Sequence, residues 1–203
     1  MKYLFEKDTN EPQRYYWFKK ALTKGEVEKV MKLVSKLPEA KKATTLSRSN
    51  DDKDYVRSSR VKWIPKNSDF DWLYKRMIYL AEQANNDLWK FNLYSAPEEI
   101  QYTEYHASEK GHYNWHQDIG AGRASLRKVS ITIQMSDSDE YEGGDLEIST
   151  GGDEDGGLYS SQRGPRGLGV GVLFPSFLMH RVSPITKGVR KSLVLWVGGE
   201  HYK

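Results

Sequence analysis

Three side chains in this sequence are suited to hold a metal ion. His116 and Asp118 stand two residues apart in HYNWHQDIG (residues 112–120), and His180 ends GVGVLFPSFLMH. If the first stretch is a β-strand, residues two apart point to one face, so the imidazole and the carboxylate aim at one point. His180 falls just past a buried run and a turn at Pro175. Two neutral imidazoles and an ionised carboxylate on one side of an Fe(II) ion leave three positions open on the other. Those positions can take a bidentate co-substrate and then dioxygen. An HxD pair alone is a weak signal, because such pairs also arise by chance on surface strands, and a later histidine adds little to it.

Arg190 adds weight. It follows His180 by ten residues in HRVSPITKGVRKSLVLW. Pro184 and Gly188 read as punctuation of a turn, after which the chain reverses and runs back as a strand starting near Arg190. That places a guanidinium beside the metal without touching it. A planar fork matches a carboxylate bidentately, so Arg190 would fix the far end of a dicarboxylate whose near end chelates the ion. The bland alternative is a surface arginine at a strand start.

The elements that must carry these residues are legible in outline. Val27, Val30, Met31, Val34 and Leu37 have helical spacing, with Thr23 as N-cap, Glu26 three residues on, and Pro38 as the stop. A second helix is predicted from about Asp69 to Trp89 and a strand over Tyr55–Ile64. From about residue 98 the pattern changes to short strands. Glu99–Tyr105, Lys128–Met135, Asp145–Ser149, Gly169–Phe174 and Ser192–Val197 are separated by glycine-rich turns, which suggests a sandwich or barrel. Within them Ser130, Thr132 and Gln134 share one face and Val129, Ile131, Ile133 and Met135 the other. Arg190, Ser192, Val194 and Trp196 also share a face. The acidic run from Asp137 to Asp155 reads as a solvated hairpin, with a second metal such as calcium as the alternative; its spacing fits no EF-hand loop. Gly151–Gly169 reads as a polar loop, either plain surface or a flap over a site.

Composition narrows the class. The chain has 203 residues, enough for one domain with a real core. It has no cysteine, so disulfides, thiolate ligands and cysteine nucleophiles are excluded, and any metal must sit on nitrogen and oxygen. A net charge of +3 does not argue for nucleic acid. The start MKYLFEKDTN has no apolar core of a signal peptide, and no long apolar run exists, so no membrane partner is expected and the default compartment is cytoplasmic. The oligomeric state is not indicated.

Taken together, His116-x-Asp118, His180 and Arg190 resemble the core of the 2-oxoglutarate and Fe(II)-dependent oxygenases. Within them the chain resembles the prolyl 4-hydroxylase-like branch, including the PKHD-type hydroxylases. The resemblance covers roughly residues 98 to 200 and includes QYTEY before the HxD, Tyr113, SDSDEYEGGDLEI and FPSFLMHRVSPITKGVR. The order of a helix, RSSRVKWIP and a second helix is similar to phage and bacterial members.

The resemblance implies a single oxygenase domain over residues 1–203, with 1–97 as helical support and 98–203 as the core. The implied fold is mainly β with flanking α-helices, a double-stranded β-helix (jelly roll, cupin-like). His116, Asp118 and His180 would bind iron, and Arg190 the far carboxylate of 2-oxoglutarate. Tyr105 would hydrogen-bond that carboxylate, with Tyr102 as the fallback. The loop from Tyr105 to His116 is about two residues longer than the family's usual Tyr-x-x-Gly-x-x-Tyr-x-x-His. Ser130, Thr132 and Trp196 would line the co-substrate pocket, although periodicity alone turns the apolar face of that strand to the core. Tyr113, Trp115 and the 151–167 loop would border the substrate entrance. Arg123, Arg127, Arg163 and Arg166 either meet an anionic substrate or are solvated, and His106, His112 and His201 match no ligand position.

The implied reaction hydroxylates a C–H bond with dioxygen and converts 2-oxoglutarate to succinate and CO2, with ascorbate as a reductant. Prolyl residues of a protein or peptide are the first substrate, a free amino acid or small metabolite the second, and nucleic acid is disfavoured. A catalytically silent jelly-roll binding module is the alternative from another class.

Overall fold

The structure, a computed structural model, describes residues 14–43, 56–151 and 160–201. In chain order the elements are β1 (Tyr16–Phe18), α1 (Lys24–Val34), β2 (Lys41–Lys42), β3 (Arg57–Ser58), β4 (Arg60–Ile64), α2 (Asp71–Ala84), β5 (Leu93–Ser95), β6 (Ile100–His106), β7 (His112–His116), β8 (Arg127–Gln134), β9 (Tyr141–Gly143), β10 (Leu146–Gly151), β11 (Ser160–Arg163), β12 (Gly171–Pro175), β13 (His180–Val182) and β14 (Ile185–Gly199). They form two sheets. The larger runs β1-β12-β8-β14-β6-β4-β2, with β5 and β9 also paired to β14, and the smaller runs β11-β10-β13-β7-β3. All the pairings are antiparallel. This is the jelly-roll architecture, with the chain crossing between the sheets from β6 to β7, β7 to β8, β12 to β13 and β13 to β14.

The alternation in RKVSITIQ gives β8 two distinct faces. Val129, Ile131 and Ile133 are fully buried and pack with Val27, Val30, Leu73, Met77 and Ala81 of the helices in one large core. The other face, Ser130 and Thr132, lines a chamber between the sheets. The apolar face meets the helices and the polar face meets the chamber, so periodicity and the family resemblance are both satisfied.

Each helix differs at its end from the sequence expectation. The capping box at Thr23 and Glu26 is formed as expected, but α1 stops at Val34, before Pro38 is reached. The amides of Lys36 and Leu37 bond to Leu33 and Val34 three residues back, which tightens and ends the helix. Helix α2 gives way to a wider π turn over Asn85–Trp89. There Asn85 clamps the backbone of Phe91 through both of its amide atoms, at 2.8 and 2.9 Å.

The expected reversal at Pro184 and Gly188 is not there. Strand β14 already runs from Ile185, pairing first with β9 and, from Val189 onward, with β6. Gly188 sits inside it at φ 72°, where a Cβ would lie 2.0 Å from the Glu140 carbonyl oxygen. Glycine thus allows a bend and a close crossing within one strand, not a turn between two.

The acidic stretch is a hairpin with its own basic partners. Arg166 contacts Asp145 at 3.2 Å, Arg181 contacts Glu147 at 2.7 Å and Lys187 contacts Glu142 at 3.1 Å. Among the described residues it forms no cluster suited to a metal. Asp153, Glu154 and Asp155 lie outside the described residues, as does the 152–159 part of the expected flap; Ser160–Arg163, in its later part, is strand β11. No described helix is long and apolar enough to cross a membrane.

Replacing Ile133 with Ala should cost about 2–5 kcal/mol of unfolding free energy by loss of packing and a residual cavity. Thr23→Ala should cost about 1 kcal/mol through its cap. Urea titrations followed by circular dichroism read both.

Candidate active site

The two histidines come from neighbouring strands: His116 on β7 and His180 on β13 are directly paired. Asp118 does not share their strand. β7 ends at His116, and the Asp118 amide donates to the Ser176 carbonyl at 2.9 Å, in the turn between β12 and β13. Strand alternation is therefore not what aims the carboxylate; the hydrogen bond that the Asp118 amide donates to a distant turn does. The result is the expected convergence. His116 Nε2 lies 3.8 Å from one Asp118 oxygen and His180 Nε2 lies 3.5 Å from the other. One ligand atom from each of the three lies within 4.8 Å of the others.

The ring tautomers suit a metal. Each Nδ1–H can donate to the carbonyl two residues back, His116 to Asn114 at 2.7 Å and His180 to Leu178 at 2.9 Å. That leaves both Nε2 lone pairs facing the carboxylate. Phe174 packs 4.5 Å from the His180 ring and holds its plane.

The pair β7–β13 has an irregular register: two steps on β13, from His180 to Val182, match three on β7, from His116 to Tyr113. This β-bulge puts Tyr113 on the same side as His116, against simple alternation. Their rings stack at 3.4 Å between centroids, 14° from parallel. Burial pushes the Tyr113 phenol up to about 12, so it is neutral at neutral pH.

Burial lowers the His116 pKa, and the neighbouring His180 lowers it further, so the ring is neutral. Burial works against ionisation of Asp118, but His180, His116 and the Ser130 hydroxyl outweigh it and hold the carboxyl below its ordinary value. A neutral His116 ring beside an ionised Asp118 carboxylate suits a metal ligand set.

Around the triad lies a chamber of about 350 Å³. Ser130 Oγ donates to Asp118 Oδ2 at 2.6 Å and lies 2.9 Å from Ser176 Oγ. The Trp196 indole N–H faces the same carboxylate and favours its charge, without a hydrogen bond of ordinary geometry to it. Arg127, singled out as a possible substrate contact, is instead a brace. It grips Glu98 through two nitrogens, donates to the Asp118 carbonyl at 2.9 Å and lies 3.8 Å from the Trp196 ring.

Arg190 is 2% exposed and pairs across the sheet with Tyr105. Its guanidinium lies 5.5 Å from the Tyr105 ring, and its Nε has no hydrogen-bond partner. No carboxylate of the described residues is within ion-pair distance of it, and among the described residues Asp118 is the only acid lining the chamber. Thr132, Ser192 and Val194 complete that wall. A buried cation without a counter-ion is costly. A dicarboxylate reaching from the triad to Arg190 would relieve it, and the N2O donor set suits Fe(II), so the residues fit iron and 2-oxoglutarate.

Other expected site residues lie elsewhere. Tyr102 is in the helix-side core, bonded to Glu104 at 2.8 Å, which removes it as the alternative to Tyr105. Trp115 does not line the chamber; its ring packs 4.9 Å from the Arg181 guanidinium. Its neighbour Tyr113 takes the inward position because of the bulge. His106 contacts Glu104, His112 contacts the Lys110 carbonyl, and neither reaches the chamber. Arg57 and Ser176 were missed. Arg57 lies on a short N-terminal strand with no motif to mark it, and Ser176 looks like any turn residue.

Residues 100–198 match the model of the 2OG-Fe(II) oxygenase superfamily. A PKHD-type hydroxylase of Synechococcus sp. (strain CC9605) is 40% identical over 85 residues, covering 42% of this chain and 36% of that protein. One from Teredinibacter turnerae is 34% identical over 107 residues, covering 50% and 44%. The matches thus span well under half the length of these relatives. Among solved structures, a Trichoplax adhaerens prolyl hydroxylase in complex with a hypoxia inducible factor peptide fragment superposes with TM-score 0.70 at 15% identity, over 92% of this chain and 84% of that one. A Pseudomonas putida prolyl-4-hydroxylase gives 0.63 at 17%, over 92% and 93%, so the fold is shared. Residues 100–198, just under half of the chain, are thus similar to the 2OG-Fe(II) oxygenase superfamily, and PKHD-type hydroxylases are among the curated relatives.

Proposed function

We propose that the protein is a non-haem Fe(II) and 2-oxoglutarate-dependent dioxygenase that hydroxylates a C–H bond. The observation that carries this reading is Arg190, a buried guanidinium with no acidic partner among the described residues, facing the same chamber as the His116, Asp118 and His180 triad. Bound iron and 2-oxoglutarate supply the oxidising chemistry, in which dioxygen gives one atom to 2-oxoglutarate as it becomes succinate and CO2 and the other to the substrate.

The chain's own residues do the positioning. Both imidazoles are held by backbone carbonyls and Asp118 by Ser130 and its own anchored amide, so the ligands are aimed in advance. Arg190 orients the co-substrate through its distal carboxylate, beside Tyr105. Tyr113 covers the His116 ring and Phe174 the His180 ring, which limits water at the ligands.

A prolyl residue of a protein or peptide is the first substrate, by analogy with the prolyl hydroxylases that share the fold. A free amino acid or small metabolite is the second reading, favoured by a further buried arginine, Arg57, in the chamber wall. Ascorbate is the expected reductant.

The direct test adds Fe(II) and 2-oxoglutarate without oxygen, looks for the weak visible charge-transfer band, and then measures succinate in air. No band and no succinate would leave a silent binding module as the better reading. His180→Ala should abolish both signals. Arg190→Ala should raise the dissociation constant of 2-oxoglutarate by at least about tenfold, the loss expected for a charge-assisted pair, while Fe(II) still binds. Ser130→Ala should weaken Fe(II) by about 10–100-fold, because it frees the Asp118 carboxylate to turn.

A further inference from the structure

The chamber holds a second arginine that the proposed chemistry leaves without a partner. Arg57, on β3 at the edge of the smaller sheet, is 8% exposed. Its Nε donates to Ser59 Oγ at 2.7 Å, and its guanidinium lies 4.6 Å from the face of Tyr113. Tyr113 in turn stacks on the ligand His116. Arg57, Tyr113 and His116 thus form three layers running from the chamber's rim to the metal triad.

The charges single out Arg57. Arg127 is neutralised by Glu98, with its guanidinium in a bidentate contact. A divalent ion, the Asp118 carboxylate, a dicarboxylate co-substrate and Arg190 together are formally neutral. Arg57 is the charge that remains, and no acid of the described residues pairs with it. Tyr113 cannot serve as its counter-ion, because that phenol stays protonated at neutral pH. A cation–π contact offsets part of the cost of burying the charge and leaves the fork's outer nitrogens free. Fixing Nε on Ser59 also orders the fork before a ligand arrives.

We propose that Arg57 is a specificity-determining residue that binds a carboxylate of the substrate. This rests on the oxygenase reading and narrows its substrate class. The target is a molecule with a carboxylate close to the hydroxylated carbon, supplied either by a free amino acid or by an acidic side chain next to the reacting residue of a peptide. Gln101 and the half-exposed Trp63 line the chamber with Arg57 and would flank the rest of the ligand.

The test uses protein loaded with Mn(II) and saturating 2-oxoglutarate, so that bound probes are broadened by the paramagnetic ion in proton NMR. The probes are two matched pairs: L-proline with L-prolinamide, and the end-capped dipeptide Asp-Pro with Asn-Pro. The carboxylate member of at least one pair should broaden at lower concentration than its amide, and the pair that does so identifies the source. Arg57→Met should weaken that probe at least about tenfold, and Arg57→Lys should restore part of the loss. Ser59→Ala, which only unties Nε, should give a smaller loss and carries the test together with Arg57→Lys if Arg57→Met does not fold. Absence of any carboxylate preference in the wild type, or a preference that survives in Arg57→Met, overturns the proposal. Calorimetric titration of 2-oxoglutarate into the Mn(II)-loaded wild type before the co-substrate is added separates the two readings, since failure of 2-oxoglutarate itself to bind takes down the oxygenase assignment instead.

Discussion

The structure depends on keeping a buried carboxylate and two imidazoles within bonding reach of one point in the wall of a chamber. Left alone, such a group is unfavourable, because burial opposes the charge on Asp118 and, among the described residues, no lysine or arginine pairs with its carboxylate. The fold tolerates it by surrounding the carboxylate with fixed donors, namely Ser130 Oγ and the inward-facing Trp196, and by tying the rings to backbone carbonyls. The arrangement is held by hydrogen bonds to groups that are themselves immobile in strands, so it persists without relying on the ion it is built to take.

Those strands are immobile because of what lies on their other side. Ile131 and Ile133 are buried against the helices one residue from Ser130 and Thr132, so the packing that stabilises the sheet also sets the aim of the chamber wall. A slip of one residue in β8 would turn its apolar set inward and lose both at once. β14 couples the two regions in the same way: Leu193 and Leu195 face the core while Arg190, Ser192 and Trp196 face the chamber. Arg127 adds a brace across the gap, linking Glu98, the Asp118 carbonyl and the Trp196 ring.

Two buried arginines give the chamber its polarity. One faces the wall where the co-substrate's distal carboxylate is expected, and the other sits at the rim behind Tyr113. The bulge in β7 makes this possible, since it turns Tyr113 inward to lie between His116 and Arg57. A regular strand would have presented Asn114 in its place, and the rim would lack the aromatic face that carries the arginine.

The sequence by itself determined the two helices and the strongly alternating strands, the amphipathic faces of β8 and β14 and the capping box at Thr23, and it pointed to the four residues His116, Asp118, His180 and Arg190. These are local or strongly patterned features: period-two alternation, a capping motif, and residue types with few other uses in a buried setting. Tertiary structure decided the rest. Asp118 reaches its place through the Ser176 carbonyl, Tyr113 turns to the His116 side through a register shift, Gly188 bends a strand that the sequence reads as broken, and Tyr102 turns to the core while Tyr105 turns to the chamber. Arg57 became visible only when β3 was paired with β7. Each of these depends on which strands become neighbours and in what register, and that is fixed by contacts between residues far apart in the chain, which no local pattern records.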